Sequence, residues 1–414
     1  MVKENLIVGL DIGTTKVCAI IGEQKGEGQV EIAGIGVHSS SGLKKGVIVN
    51  IEATVESIKA AVKEAELMAG VSVESVYVGV AGNHIKGANS NGVVAIKNSE
   101  VDRIDIQRVL DTAQAINRPT DQEVIHILLQ EYIIDGQDGI KDPPLGISGT
   151  RLESKIHIIS GATSSIDNIN KCVEQAGFAV NKIVLEPLAS SEATLTQDER
   201  ELGVILIDIG GGTTDIQVFT RGSVKHTAVI GLGGNNITRD IAIVLRTLID
   251  DAERIKKYHG CACSSLILED EMVEVLSIGG RESRQLPRKV VSEIVEPRVE
   301  EIFRRIDREI QESGYKDLLA SGAVITGGSS LMEGILEIAE EILELPVRRG
   351  ISMGIKGWID MVSNPMYATG VGLVLYGLKN GGGIQSVGGT NGNHIYHVFR
   401  KMAERSKKWL EKFF

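Results

Sequence analysis

Two segments about half a chain apart carry carboxylates, glycines and hydroxyls in the same order: Asp11-Ile-Gly-Thr-Thr-Lys-Val17 and Asp208-Ile-Gly-Gly-Gly-Thr-Thr-Asp-Ile216. One Asp-x-Gly-x-Thr segment between strands is an ordinary hairpin turn, its glycine supplying positive φ and its Asp or Thr bonding local backbone. Two of them in matching contexts point to more. Small and hydroxyl residues at a tight turn leave successive backbone N–H groups facing outward, a concavity that attracts anions. Gly13 in the first turn, and Gly210, Gly211 and Gly212 in the second, carry no Cβ, so a bulky polyphosphate can approach the main chain. Thr14, Thr15, Thr213 and Thr214 add hydroxyl donors, and Lys16 adds a positive charge. Asp11 and Asp208 would then face each other across a cleft, where two carboxylates beside a triphosphate suit Mg²⁺ held largely through its waters. Neither GxxxxGK[ST] nor GxGxxG occurs, so the clamp is two opposed hairpins and not a common nucleotide motif.

The elements that must hold these turns are legible as short apolar runs. Leu6–Leu10 and Val17–Ile21 flank the first turn, and Val204–Asp208 and Asp215–Phe219 flank the second. Apolar strands beside helical patterns such as Ile51–Met68 predict an α/β body with a covered sheet, built from two duplicated halves. Further along, the apolar run Val324–Thr326 enters Gly327-Gly328-Ser329, and Gly233-Gly234-Asn235 opens a helix predicted over Arg239–Leu248. Glu253 and Lys256 follow, a pair that by spacing alone is a solvated helix face.

Composition bounds the rest. A chain of 414 residues has a soft prior of two to three domains, and 42% hydrophobic with 24% charged residues excludes a disordered chain. Four cysteines without a CxxC pair suggest neither zinc nor a redox motif, and imply a reducing compartment. A net charge of −11 argues against nucleic acid as a partner. The apolar run Leu6–Leu10 is cut by Asp11, so no secretory signal is expected, and Met361–Leu378 is too interrupted to span a membrane. His126, His157, His226 and His259 form no nucleophilic or metal constellation with nearby carboxylates by sequence.

The last 21 residues break this pattern. Five of the fifteen aromatics lie there, and six basic residues against two acidic ones give a net charge of +4. Asn380–Asn393, with six glycines in fourteen residues, reads as a flexible linker. Beyond it, Ile395, Val398, Phe399, Met402, Trp409, Leu410, Phe413 and Phe414 recur at helical spacing opposite basic residues that include Lys408 and Lys412. Most amphipathic helices pack into a core. A terminal, tethered one with Trp and Phe opposite a basic face suits an anionic bilayer interface, with roughly 1 kcal/mol from each basic residue near the surface. One such tail gives weak attachment, whereas a row of tails on a polymer gives far more.

These residues carry a resemblance. The paired turns resemble the two phosphate loops of the actin, Hsp70 and sugar-kinase superfamily. Gly327-Gly328-Ser329 is similar to its adenosine motif, and Gly233, Gly234, Asn235, Glu253 and Lys256 to the segment that contacts ribose and base. Glu186-Pro-Leu-Ala-Ser-Ser191 and Tyr367-Ala-Thr-Gly-Val-Gly-Leu373 resemble the two helices joining the halves. The superfamily's use of a Glu and a loop threonine to position attacking water implies Glu186 with Thr213 or Thr214. Gln130–Pro143, Gly149–His157, His259–Ala262 and Val295–Arg298 then resemble the FtsA family of bacterial cell-division proteins, and the likeness runs from Ile7 through the tail.

The resemblance implies an actin-like α/β fold: two duplicated halves around a nucleotide cleft, with a small inserted α+β domain in the first half. It divides the chain into 1–82 (first-half core with the first loop), 83–165 (inserted domain), 166–200 (connecting helix region) and 201–227 (second-half core with the second loop). Next come 228–300 (base-side subdomain), 301–357 (core with the adenosine motif), 358–379 (return helix), 380–393 (linker) and 394–414 (membrane-targeting helix). It further implies binding of ATP and Mg²⁺, head-to-tail self-polymerisation, and at most slow ATP hydrolysis. The protein would tether the ring protein FtsZ to the inner face of the cytoplasmic membrane at the septum, and recruit other division proteins through the inserted domain. Arg281, Arg284, Arg288, Lys289 and Arg298 read on their own as a solvated basic face. The family likeness makes Arg284 and Arg298 the receptors of the FtsZ C-terminal peptide. The competing readings are a small-molecule kinase or a pilus-assembly ATPase relative of the same superfamily. An Hsp70-like chaperone would need a large peptide-binding region after the ATPase half, and only a linker and a short helix follow here.

Overall fold

A computed structural model describes residues 6–380 apart from 27–28, 118, 269–270 and 278–281. Two sheets form the body, and their cores repeat one plan. In the first, the strand order is Ala179–Leu185, Ser75–Val80, Leu6–Ile12, Lys16–Gln24, Val30–Ser39 and Ile355–Gly357. In the second it is Val347–Arg349, Ala323–Thr326, Val204–Ile209, Thr214–Thr220 and Ser223–Ile230. In each, the strand before the glycine turn pairs antiparallel with the strand after it and parallel with a later one: Leu6–Ile12 with Ser75–Val80, and Val204–Ile209 with Ala323–Thr326. The duplication expected from the two turns is therefore a duplication of topology. Every residue of Val204–Ile209 and of Thr214–Thr220 is buried, the polar Asp208, Asp215 and Gln217 included, so both faces of these strands are covered.

Helices cover the sheets where the 3.6-residue period places apolar groups on one face. Ile51–Ala69 starts at Asn50, whose side chain accepts from the Ala53 amide at 3.1 Å, and stops at Gly70 in the left-handed region. Its buried Val55, Ile58, Ala61, Val62 and Ala65 lie in the core with the first sheet. Glu186–Thr194, with Pro187 at its start, and Ala368–Asn380 join the halves by packing on each other. A Cβ on Gly372 would fall 1.9 Å from the Ala189 carbonyl oxygen, so only glycine lets these two backbones meet.

The inserted domain is a four-stranded antiparallel sheet in the order Lys86–Ala95, Arg151–Ala162, Gln122–Ile134, Gln137–Ile140, backed by helix Arg103–Gln114. It lies along Ser223–Ile230, the edge strand of the second sheet, through polar bonds. Gln130 Nε2 donates to the Val224 carbonyl at 2.8 Å, Ser223 Oγ to the Gln130 carbonyl at 2.8 Å, and Asn89 Nδ2 to the Lys225 carbonyl at 2.9 Å.

Several elements differ from the sequence expectation. The helix expected over Arg239–Leu248 runs Gly234–Leu245, and a separate helix, Ile249–His259, carries Glu253 and Lys256. One long helix spans Arg288–Ser313 and passes through Pro297. An interior proline costs about 3 kcal/mol. The buried Val291, Val295, Val299, Ile302, Phe303, Ile306 and Ile310 on one face outweigh it. Ile355–Gly357, placed by sequence with the second half, pairs with Val30–Ile32 as the sixth strand of the first sheet.

Candidate functional site

Both glycine turns close the same way. Ile12 pairs with Val17, and the Gly13 amide donates to the Lys16 carbonyl at 2.9 Å. Ile209 pairs with Thr214, and the Gly210 amide donates to the Thr213 carbonyl at 2.9 Å. The two tips touch. A Cβ on Gly211 would sit 2.3 Å from Thr15 Cγ2, and one on Gly212 would sit 2.7 Å from Thr14 Oγ1. They border a cavity of about 720 Å³, also lined by Asp11, Lys16, Glu186, Asp208 and Thr213. That volume is in the range of small-molecule sites.

The chemistry at this end of the cavity is acidic. Asp11 accepts from Lys16 Nζ at 2.8 Å. Asp208 accepts from Ser190 Oγ at 2.8 Å and, more weakly, from Thr369 Oγ1 at 3.4 Å. A further carboxylate, Asp215, lies directly across the hairpin from Asp208. One of its oxygens accepts from Thr213 Oγ1 at 3.1 Å, and the other, Oδ1, is buried without a hydrogen-bond partner among the described residues. Burial, with Asp208 nearby, pushes Asp215 up to about 8. Burial outweighs the Ser190 hydrogen bond and, with Asp11 nearby, carries Asp208 up to about 6. Glu186 is held well above the usual carboxylate range by burial and then by Asp11, Asp215 and Asp208. Burial alone would lower Lys16, but Asp11 in particular holds it above the ordinary lysine value. Carboxylates are hard donors, but among the described residues no group of three or more His, Cys, Asp or Glu side chains is arranged to hold a metal ion, so a divalent cation here would be held largely through its waters.

Farther along the wall, Lys256 Nζ contacts Glu253 Oε2 at 2.6 Å and the Gly234 carbonyl at 3.2 Å. Gly327, Gly328 and Ser329 complete that side. The structure corrects several assignments. Thr214 is fully buried and donates to the Leu232 carbonyl at 2.9 Å, so Thr213 and not Thr214 faces the cavity, as alternation along a strand demands. Gly233, Gly234 and Asn235 do not line it. The amides of Gly234 and Asn235 donate to the Gly210 and Gly211 carbonyls at 2.9 and 2.8 Å, bracing the second turn from behind. His226 lies 2.9 Å from Glu309, and among the described residues no histidine joins a group that could hold a metal ion.

Sequence reasoning missed other wall residues. Asp215 could have been found by counting register from the turn. Arg288, grouped with a surface patch, lines the cavity, pairs with Glu271 at 2.7 Å and also meets Glu333. Lys257, Tyr258, Met332, Asn364 and Met366 also line it and carried no signal by spacing. Arg284 is exposed and donates to the Leu245 carbonyl. Arg298, on another element, pairs with Asp240 at 2.6 Å and with Glu301. Arg281 and every tail position from Ile395 to Phe414 lie outside the described residues. Among the described residues no helix is long and apolar enough to cross a membrane.

Comparison with known proteins gives concordant results. A family model described as cell division protein FtsA matches residues 205–372, and one described as the SHS2 domain inserted in FTSA matches 82–160. The cell division protein FtsA of Pseudomonas aeruginosa is 50% identical over 408 residues, covering 98% of this chain and 97% of its own. That of Neisseria meningitidis is 44% identical over 421 residues, covering 100% and 99%. Among solved structures, a PilM-PilN type IV pilus biogenesis complex matches with a TM-score of 0.67 at 14% identity, over 90% of this chain and 98% of that one. MreB5 of Spiroplasma citri bound to ADP matches with a TM-score of 0.54 at 15% identity, over 91% and 99%. These last two likenesses are of fold, and the fold is actin-like with an SHS2 domain inserted in its first half.

Proposed function

This chain belongs to the FtsA family of cell division proteins, and we propose that it serves division as an ATP-binding, self-polymerising adaptor that ties FtsZ to the membrane. The observation that carries the reading is the tip-to-tip meeting of two glycine turns from duplicated hairpins over an acidic cavity of about 720 Å³. Backbone amides of Thr14, Thr15, Gly211 and Gly212, with the hydroxyls of Thr14, Thr15 and Thr213, would take the phosphates of ATP. Asp11 and Asp208 would hold Mg²⁺ largely through its waters, and the ion when bound would supply positive charge against the phosphates. The walls formed by Glu253, Lys256 and Gly327–Ser329 would take the nucleoside.

Glu186 and Thr213 would position an attacking water. Burial, then Asp11, Asp215 and Asp208, push the Glu186 carboxyl above the usual carboxylate range, and hydrolysis would be slow at most. Outside the cleft, Arg284 and Arg298 would receive the FtsZ peptide. Arg298 must then exchange Asp240 and Glu301 for peptide carboxylates. The terminal helix from His394 would lie in the anionic surface of the cytoplasmic membrane, and polymerisation would multiply its hold. Other division proteins would dock on the inserted domain.

Electron microscopy of the protein with ATP on an anionic lipid monolayer, with and without the last 21 residues, tests this. Filaments on lipid only when the tail is present are expected. Absence of filaments with ATP, or equal lipid coating by the truncated chain, refutes it.

A further inference from the structure

A third loop meets the two glycine turns, and its chemistry is unspent. Leu43–Lys44 and Val47–Ile48 form a small antiparallel hairpin joined by Lys45 and Gly46, both at positive φ, 51° and 75°. This is the two-residue turn whose first position favours Asn, Asp or Gly, so a lysine there bears a conformational cost. Two other hairpins share the conformation. Asp135-Gly136 carries a favoured residue, and Arg221-Gly222 carries an arginine that pairs with Asp138 at 3.3 Å. Lys45 has no such partner: its side chain makes no hydrogen bond or ion pair among the described residues.

Its position is specific. The Gly46 amide donates to Thr14 Oγ1 at 3.1 Å, on the first turn. A Cβ on Gly212, on the second turn, would sit 3.1 Å from the Lys45 Cα. The hairpin thus rests on both tips at once, with Gly46 itself lining the cavity. The cations of the cavity wall are all neutralised: Lys16 by Asp11 at 2.8 Å, Lys256 and Lys257 by Glu253 at 2.6 and 3.4 Å, and Arg288 by Glu271 at 2.7 Å. Lys45 is exposed beside the two turn tips, on a flexible four-carbon stem that can reach toward the cavity. A strained backbone that persists without a packing or pairing reason is a mark of function.

We propose that Lys45 is a phosphate ligand of the cleft, binding the terminal phosphate of a nucleoside triphosphate and so separating tri- from diphosphate. The proposal rests on the nucleotide-binding reading above and adds to it the residue that distinguishes the two ligand states. Gly46 gives that distinction an exit. A Cβ there would fall 2.8 Å from both the Ala81 carbonyl oxygen and Gly82 Cα, the segment leading into the inserted domain.

Calorimetric titration with Mg-ATP and with Mg-ADP, on wild type and on Lys45→Gln, Lys45→Arg, Lys45→Gly and Lys44→Gln, tests the assignment. Loss of one charge-assisted contact should weaken ATP binding by Lys45→Gln about tenfold while ADP changes less than about twofold. Lys45→Arg should keep the ATP preference, and Lys44→Gln should leave it intact. Lys45→Gly relaxes the turn, so it should melt at or above the wild-type temperature yet lose the preference, which separates charge from folding. An unchanged ATP-to-ADP ratio in Lys45→Gln, or a loss confined to Lys44→Gln, overturns the proposal. Wild-type protein that takes up neither nucleotide overturns the nucleotide reading and this inference with it.

Discussion

Replacing Asp215 by Asn isolates the electrostatics of the cleft, because the amide keeps the shape of the carboxyl and removes its charge. In the unfolded chain Asp215 titrates near 3.8, and in the fold burial and Asp208 carry it to about 8. The folded state therefore binds more protons between those values, and stability falls as pH rises through the window. Each pH unit inside it costs about 1.4 kcal/mol, so charging this residue in the empty cleft costs on the order of 5 kcal/mol by pH 8. Because Asp208 shares the field, with its own value moved to about 6, the two titrate as a pair and the loss belongs to both. Thr213 Oγ1, now 3.1 Å from a carboxylate oxygen, can still donate to the amide oxygen of Asn. Urea denaturation with chelator present, for wild type and Asp215→Asn from pH 5 to 9, reads the effect. The variant should be more stable by about 1–2 kcal/mol at pH 5, with the gap widening to several kcal/mol near pH 8 and then levelling. Parallel curves, with a gap that does not grow with pH, would refute the placement of a buried, destabilising charge here.

Two further outcomes follow from contacts in the structure, and a third from the sequence of the tail. Gly211→Ala must push Thr15 aside, since the new Cβ would lie 2.3 Å from Thr15 Cγ2; nucleotide affinity should fall at least tenfold for a stability loss of about 1–3 kcal/mol, by titration and melting. Asn89→Ala removes a donor to the Lys225 carbonyl and an acceptor shared by Gln130 and His157, so amide exchange across Ser223–Ile230 should quicken, with about 1–3 kcal/mol lost in denaturation. Trp409→Glu should abolish liposome sedimentation and leave ATP affinity unchanged, and loss of both would place the tail in the core.

What could be read before the structure was what local rules govern. The two hairpins, their glycines and the duplication follow from apolar runs of strand length around a turn signature, and the structure carries the same plan in both sheets. Side-chain direction was less legible. Thr213 and Thr214 are adjacent and chemically identical, and only the parity of the strand after the turn decides that Thr213 meets the cavity while Thr214 is buried against Leu232. The same counting would have found Asp215, which opposes Asp208 one pair beyond Ile209 and Thr214. Pro297 shows packing overriding a local rule: proline disfavours a helix interior, yet eight buried side chains of the helix hold it there. Met332, Met366 and Arg288 reach the cavity from elements far apart in the chain, and no local pattern encodes that convergence.

The duplicated halves differ where it matters chemically. Across the first hairpin Asp11 opposes Cys18, and across the second Asp208 opposes Asp215. Cys18 is fully buried and its thiol is pushed up to about 12, first by burial, so it stays neutral and adds no charge. All the extra acidity thus falls on the second half, on the strand Thr214–Thr220 that pairs with the edge strand Ser223–Ile230. Asp215 pairs there with Val229, and two residues further on Gln217 pairs with Thr227, whose hydroxyl lies 3.0 Å from His157 Nε2 of the inserted domain. The acidic pair is thus linked to the inserted domain through Thr227 and His157, beside an apolar contact in which Phe219 and Val224 share one core with Ile85 and Ile159.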